Sequence, residues 1–174
     1  MTHYFLRWLT QGWQASRAPA VVCQEARPPW AIEESQYLSL CTRCGECFKA
    51  CPRGLLKPAS REKYQGSPIA GTPVLDLECG QCSYCGSCAR ACPTGALDLQ
   101  LGRQVQTRVQ IDEASCQARQ GFYCLLCEDA CPQQAIKATA DGVSVNMEAC
   151  DGCGACGLAC LHGAITLIRQ PGNR

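Results

Sequence analysis

Apolar residues along this chain fall in short runs separated by polar and cysteine-rich stretches. TRVQID (107–112) alternates with a period of two, as a half-buried strand does. AIKATADGVSVN (135–146) predicts a strand, a turn at Asp141-Gly142 and a second strand, and AITLI (164–168) predicts a third. The earlier half has the same layout, with Leu55-Leu56, then Pro73 to Leu77, then Ala96 to Leu101. Between the first two of these runs, residues 58–72 are polar and contain Pro and Gly, which predicts an inserted surface loop. Strands too short to build a large sheet therefore alternate with short cysteine-bearing helical turns, which predicts an α+β chain in two similar halves.

Composition shows what must hold such a chain together. Val, Ile, Leu and Phe number 32 of 174 residues, low enough to threaten disorder, yet the net charge is only +1, and disorder usually needs more. Small domains with thin cores rely on metals or disulfides, and 18 residues here are Cys. Disulfide-rich chains are secreted, but the N-terminal MTHYFLRWLTQGWQ lacks the apolar run of a secretion signal. No apolar segment reaches the roughly 18 residues of a membrane span. A reducing, cytoplasmic location is expected, and there clustered cysteines are metal ligands.

The cysteines repeat as a unit four times. The first holds Cys41, Cys44, Cys47 and Cys51; the second Cys82, Cys85, Cys88 and Cys92; the fourth Cys150, Cys153, Cys156 and Cys160. The third keeps Cys124, Cys127 and Cys131 but has Gly121 where its first Cys belongs, and Cys116, five residues upstream, is the expected substitute. Each unit runs on into a similar tail: PRGLL, PTGAL, PQQAI and LHGAI. Cys23 and Cys79 are left over and read as spare thiols, although Cys79 also sits at ligand spacing from Cys82.

C-x2-C-x2-C-x3-C-P is the bacterial ferredoxin run for a four-iron, four-sulfur cluster. Three thiolates from one tight loop cap three irons of a cubane. The third Cys opens a helical turn, and the Cys four residues on lies on the same face and reaches the neighbouring cluster. Gly45, Gly86, Gly152 and Gly154 let backbone N–H groups approach the sulfurs, which offsets their negative charge. Zinc also takes four thiolates, but its ribbons space two CxxC knuckles widely, unlike these dense runs. The C-x3-C-x2-C of radical S-adenosylmethionine enzymes fails in every unit, because Gly54, Gly95, Gln134 and Gly163 stand where its last Cys is required.

Pairing the first unit with the second and the third with the fourth gives four ligand sets. These are Cys41, Cys44 and Cys47 with Cys92; Cys82, Cys85 and Cys88 with Cys51; Cys116, Cys124 and Cys127 with Cys160; and Cys150, Cys153 and Cys156 with Cys131. The fold expected is two tandem bacterial-type two-cluster ferredoxin domains (βαββαβ-like), whose small cores are stapled by four 4Fe-4S clusters. The boundaries expected are an N-terminal extension over 1–34, a first domain over 35–102 and a second over 103–170.

With every iron capped by Cys, the clusters offer no open coordination site, and no other constellation carries substrate chemistry. The expected activity is one-electron transfer with a redox partner protein rather than enzymatic turnover. His3 and His162 are the two histidines, and a turn or surface role suits His162. Residues 1–66 carry nine basic and five acidic side chains, and residues 67–174 seven and ten; the basic half is suited to steering an acidic partner, and no nucleic-acid partner is expected. All three Trp (Trp8, Trp13 and Trp30) precede the first cysteine unit, either to dock a partner or to pack over the cluster domain. Within that stretch Arg27-Pro28-Pro29-Trp30 is expected to be rigid and extended.

The order of these features resembles the NapF family of ferredoxin-type accessory proteins of bacterial periplasmic nitrate reductase systems. RPPW (27–30), then CTRC, CSYC, a stretched third unit and CDGCGAC carry the resemblance over residues 27–168. It implies a cytoplasmic iron–sulfur protein that binds the molybdenum catalytic subunit before export and assists its maturation. Cys160-Leu161 departs from the usual Cys-Pro, which affects the local turn. The alternative is an electron carrier or relay subunit serving another oxidoreductase.

Overall fold

In the computed structural model of the chain, residues 26–103 and 107–169 are described. His3, Trp8, Trp13 and Cys23 lie outside them. The first half contains α1 (Glu34–Leu40), α2 (Glu46–Ala50), β1 (Leu56–Pro58), β2 (Pro73–Leu75) and α3 (Ser87–Arg90), closed by a 3-10 turn at Leu99–Leu101. The second half runs β3 (Thr107–Ile111), α4 (Leu126–Asp129), β4 (Ile136–Thr139), β5 (Gly142–Val145), α5 (Ala155–Ala159) and β6 (Ile165–Arg169). Among the described residues no helix is long and apolar enough to cross a membrane.

Among the described residues every sheet is a single antiparallel pair. β3 pairs with β6 from Thr107 opposite Arg169 to Ile111 opposite Ile165, β4 with β5, and β1 with β2. The period-two pattern of 107–111 holds, with Thr107 and Val109 buried and Arg108 and Gln110 exposed. Two-stranded ribbons are marginal alone, so each rests its inner face on the short helices. Leu55, Leu56, Leu75, Leu77 and Leu97 form the core of the first half, and Val109, Ile136, Val143, Ile165 and Leu167 that of the second.

Three local expectations change. Ala96 to Leu101 does not form a strand: Leu97 makes one bridge to Ala31, after which the Asp98 side chain accepts the Gln100 N–H (2.8 Å) and starts the 3-10 turn. Such a local side-chain bond competes with a ladder. The hairpin loop is Ala140-Asp141 rather than Asp141-Gly142, because Gly142 (φ +120°) already pairs with Thr139. A Cβ on Gly142 would lie 2.8 Å from the stem of Arg119, whose guanidinium donates to the Val143 carbonyl (3.2 Å).

The third change is at Arg27-Pro28-Pro29-Trp30, which bends instead of running straight. The Ala31 N–H donates to the Pro28 carbonyl (2.9 Å), a turn that the fixed φ of proline favours as much as extension. The segment is woven into the first half, with Ala26 bridging Leu75, and Trp30 is buried.

Arg27 is the anchor of this segment. Its side chain is 1% exposed and pairs with Glu34 (2.7 Å), donates to the Thr72 hydroxyl (2.7 Å) and the Pro73 carbonyl (3.1 Å), and lies 4.7 Å from the Tyr37 ring centre. Tyr37, fully buried, donates its own O–H to the Pro73 carbonyl (3.1 Å). Glu34 also meets Arg169 at the end of β6 (3.0 Å), so one carboxylate ties both halves together. Burial raises the Glu34 pKa, but the two guanidiniums outweigh it and hold the carboxyl below its usual range. A depressed carboxylate pKa stabilises the fold above the unfolded value, and that contribution is lost as pH falls through the depressed one.

Arg27→Met is expected to lower the stability of the cluster-loaded protein by about 2–3 kcal/mol, because a buried network loses its central donor. Chemical denaturation checks this, and Glu34→Gln, which leaves the buried Arg27 charge without its carboxylate, is expected to cost at least as much.

Candidate metal centres

The helices that carry the cysteines are one turn long and begin at the residue before the third Cys of each unit. Cys47 lies in α2, Cys88 in α3, Cys127 in α4 and Cys156 in α5, and the fourth Cys of each unit follows just past the helix end. Because α2 and α3 lie side by side, as do α4 and α5, the fourth Cys of one unit reaches the loop of its partner.

Four cavities result, each lined by four cysteines. Cys41, Cys44, Cys47 and Cys92 share a cavity of 320 Å³ with Tyr37 and Pro73. Cys51, Cys82, Cys85 and Cys88 share one of 370 Å³ with Trp30 and Leu55. Cys116, Cys124, Cys127 and Cys160 line 390 Å³, and Cys131, Cys150, Cys153 and Cys156 line 290 Å³. These groupings are called sites one, two, three and four below. Cys79 lines none of the four; its exposed thiol lies 4.0 Å from an Asp76 carboxylate oxygen.

The donor set, four cysteines to a cavity, fits a four-iron cubane with one thiolate for each iron. A zinc–sulfur distance of about 2.3 Å would draw the sulfurs to within about 4 Å of each other. Among the described residues no three His, Cys, Asp or Glu side chains converge that closely.

The tails carry out a specific task. The N–H groups of Gly54, Gln134 and Gly163 donate to the carbonyls of Cys51, Cys131 and Cys160 (3.1, 3.1 and 3.3 Å). This turn aims the next N–H at the sulfur, so Leu55 donates to Cys51 Sγ (3.4 Å), Ala135 to Cys131 Sγ and Ala164 to Cys160 Sγ (both 3.3 Å). The pivot residue is left-handed in all four tails: Gly54 (φ +63°), Gly95 (φ +74°), Gln134 (φ +50°) and Gly163 (φ +61°). Glycine takes that conformation without strain; glutamine does not.

Electrostatics make the metal-free sites unfavourable for thiolates. Burial pushes the Cys47 and Cys127 thiols up to about 11, and Cys88, Cys153 and Cys156 up to about 12, with the charges of neighbouring cysteines acting in the same direction. Cys92 goes the other way: burial raises it, but the Thr94 hydroxyl and the N–H groups of Thr94, Leu97 and Ala96 outweigh burial. Cys85 is lowered by the Ser87 hydroxyl and N–H. Bound iron would offset the repulsion and favour the deprotonated thiols, which would couple metal binding to folding.

The third unit solves its stretched spacing with an extra turn. The Gln120 N–H donates to the Cys116 carbonyl (3.1 Å) and the Phe122 N–H to the Gln117 carbonyl (3.0 Å), which loops out the residues between Cys116 and Cys124. Its helix is preceded by Leu125 (φ −120°), where the other units use a left-handed glycine. The exposed side chains of Phe122 and Tyr123 follow from this different path.

Two positions carry no mark in the cysteine spacing. Arg43 (φ +59°) donates to the Ala70 and Pro68 carbonyls (3.0 and 2.6 Å), which clamps the 58–72 insertion onto the first cysteine loop. Tyr84 (φ +53°) packs edge-on against Trp30 at 6.3 Å. Both occupy the position that is Gly152 (φ +66°) in the fourth unit, and that glycine is the one hint of a left-handed residue there.

Comparisons with known proteins place the chain among ferredoxin-type iron–sulfur proteins. The family described as a 4Fe-4S dicluster domain matches residues 40–96 and 81–135. The second match straddles the halves, whereas the cavities pair the third unit with the fourth. The chain is 38% identical over 146 residues to the ferredoxin-type protein NapF of Haemophilus influenzae, covering 81% of this chain and 77% of that one. It is 34% identical over 145 residues to NapF of Escherichia coli K12, covering 80% and 82%. It is 33% identical over 182 aligned positions to the methylamine utilization ferredoxin-type protein MauM of Methylorubrum extorquens, covering 90% and 76%. The dicluster matches and the cysteine content fit four 4Fe-4S clusters.

Gln134→Gly is expected to stabilise the protein by about 0.5–1 kcal/mol, because it relieves a left-handed non-glycine residue. Gly54→Ala and Gly95→Ala, whose added Cβ would meet nothing within 4 Å, are expected to cost about 1 kcal/mol each through backbone strain alone. Denaturant midpoints of the loaded protein check all three.

Proposed function

The chain belongs to the NapF family of ferredoxin-type iron–sulfur proteins, and from that premise we propose that it serves a periplasmic nitrate reductase system from the cytoplasmic side. In this reading it binds the molybdenum catalytic subunit before export and assists its maturation. The family consists of electron carriers and accessory proteins rather than enzymes, so the role is one of docking and electron supply. The observation that carries the proposal is similarity to NapF proteins over about four-fifths of both chains.

The ligands proposed are the sixteen cysteines of sites one to four, with Cys23 and Cys79 as spare thiols. When bound, the clusters supply one-electron oxidation and reduction. The protein's own part is to fix the sulfurs and to aim the Leu55, Ala135 and Ala164 N–H groups at three of them. Hydrogen bonds to the sulfurs and burial are the levers by which a protein sets cluster potentials.

A second reading, as a relay for another oxidoreductase, is favoured by the likeness to the MauM protein, which is named for a different pathway. Association with the unprocessed nitrate reductase catalytic subunit in a pull-down separates the two. Binding is expected, and none would favour the relay.

Iron and sulfide analysis of anaerobically purified protein is expected to give about 16 irons per chain. Cys116→Ala is expected to lose about four of them, whereas Cys23→Ser and Cys79→Ser keep all.

A further inference from the structure

The two halves meet through cysteine loops. The Cys82 N–H of site two donates to the Cys153 carbonyl of site four at 3.1 Å, and the Tyr84 hydroxyl donates to the Asp151 carbonyl. The Arg103 guanidinium lies 4.9 Å from the Tyr84 ring centre and 3.8 Å from the Asp151 carboxylate, covering the same junction. Trp30 braces the other side of Tyr84.

The fourth loop is shaped for this approach. Every residue from Gly152 to Gly157 is buried, whereas Arg43 and Cys44, Ser83 and Cys85, and Phe122 and Tyr123 are exposed in the other loops. A Cβ on Gly154 would lie 3.2 Å from Leu77 of the first half and 3.4 Å from Leu167, so the small residues of DGCGACG permit the contact. Site one, by contrast, is flanked by the clamped insertion, and site three by exposed Phe122, Tyr123 and Leu161.

Within each half the order is fixed by shared helices. α2 leads from Cys47 of site one to Cys51 of site two, and α4 from Cys127 of site three to Cys131 of site four. Across the halves, sites two and four touch. We propose that the four sites form one line in the order one, two, four, three, and that Tyr84 is the positioning residue that holds the central crossing together.

This deepens the reading of the quartets as cluster sites and rests on it. Electrons passing between the halves cross from site two to site four. Each crossing oxidises one cluster and reduces the other by a single electron, with no bond made or broken. A one-electron donor protein at one outer site supplies the electron, and an acceptor protein at the other takes it up. The line leaves sites one and three as the two terminals, each at a different kind of surface.

The test uses the full chain with one site removed from each half, leaving the pairs one–three, one–four, two–three and two–four. Cys44→Ala removes site one, Cys51→Ala site two, Cys124→Ala site three and Cys131→Ala site four. After dithionite reduction, pulsed electron paramagnetic resonance reads the dipolar coupling, which falls with the cube of the separation. The two–four pair is expected to couple several-fold more strongly than any other and one–three least; a different ranking overturns the order.

Should the double variants fail to load, Tyr84→Ala in the otherwise native chain supplies the second reading. The power needed to half-saturate the reduced-cluster signal is expected to drop with iron content unchanged, while Tyr84→Phe keeps most of it. An unchanged half-saturation power in Tyr84→Ala removes Tyr84 from the crossing. A parent protein with no iron would instead overturn the cluster reading itself.

Discussion

Four thiolates pointed at one small cavity repel one another, and the rest of this protein is organised around making that convergence tolerable. Burial and mutual charge push the thiols well above their ordinary range at Cys88, Cys153 and Cys156. The whole chain has only 32 Val, Ile, Leu and Phe residues, and several of them, such as Phe122 and Leu161, are exposed, so the core is too thin to impose the arrangement by packing alone. Bound clusters would offset this repulsion and would add to folding stability at the same time, which links composition, fold and function.

The same local device recurs in each tail. A left-handed pivot three residues past a cysteine aims the next N–H at that sulfur. This explains why Gly54, Gly95 and Gly163 stand where they do and why Gln134 fills its place only under strain. The same turn hands the chain on to the following strand or bridge, so ligand placement and strand placement are set together.

The connection between the halves has a different character. Arg27, Glu34 and Arg169 tie their margins with charge, while Leu77, Gly154 and Leu167 pack their centre. Charge at the edge and close packing near the cysteine loops suit a chain whose sites must stay within reach of one another.

The sequence by itself determined the repeat, the quartets that gather at each cavity, the strands read at 107–112 and 164–168, each end within one residue of that observed, and membership of the family. All of these are written in local spacing, where two or three residues between cysteines leave a helical turn little freedom. Tertiary structure alone decided the rest. Arg27-Pro28-Pro29-Trp30 reads as extended because proline restricts φ, yet the same φ serves a turn, and the buried partners Thr72 and Pro73 that select the turn lie some 45 positions away. Leu97 manages one bridge instead of a strand because Asp98 caps a turn beside it. That Tyr84 faces Asp151, 67 positions on, follows from how two surfaces fit, and no spacing rule records a contact between units that do not share a site.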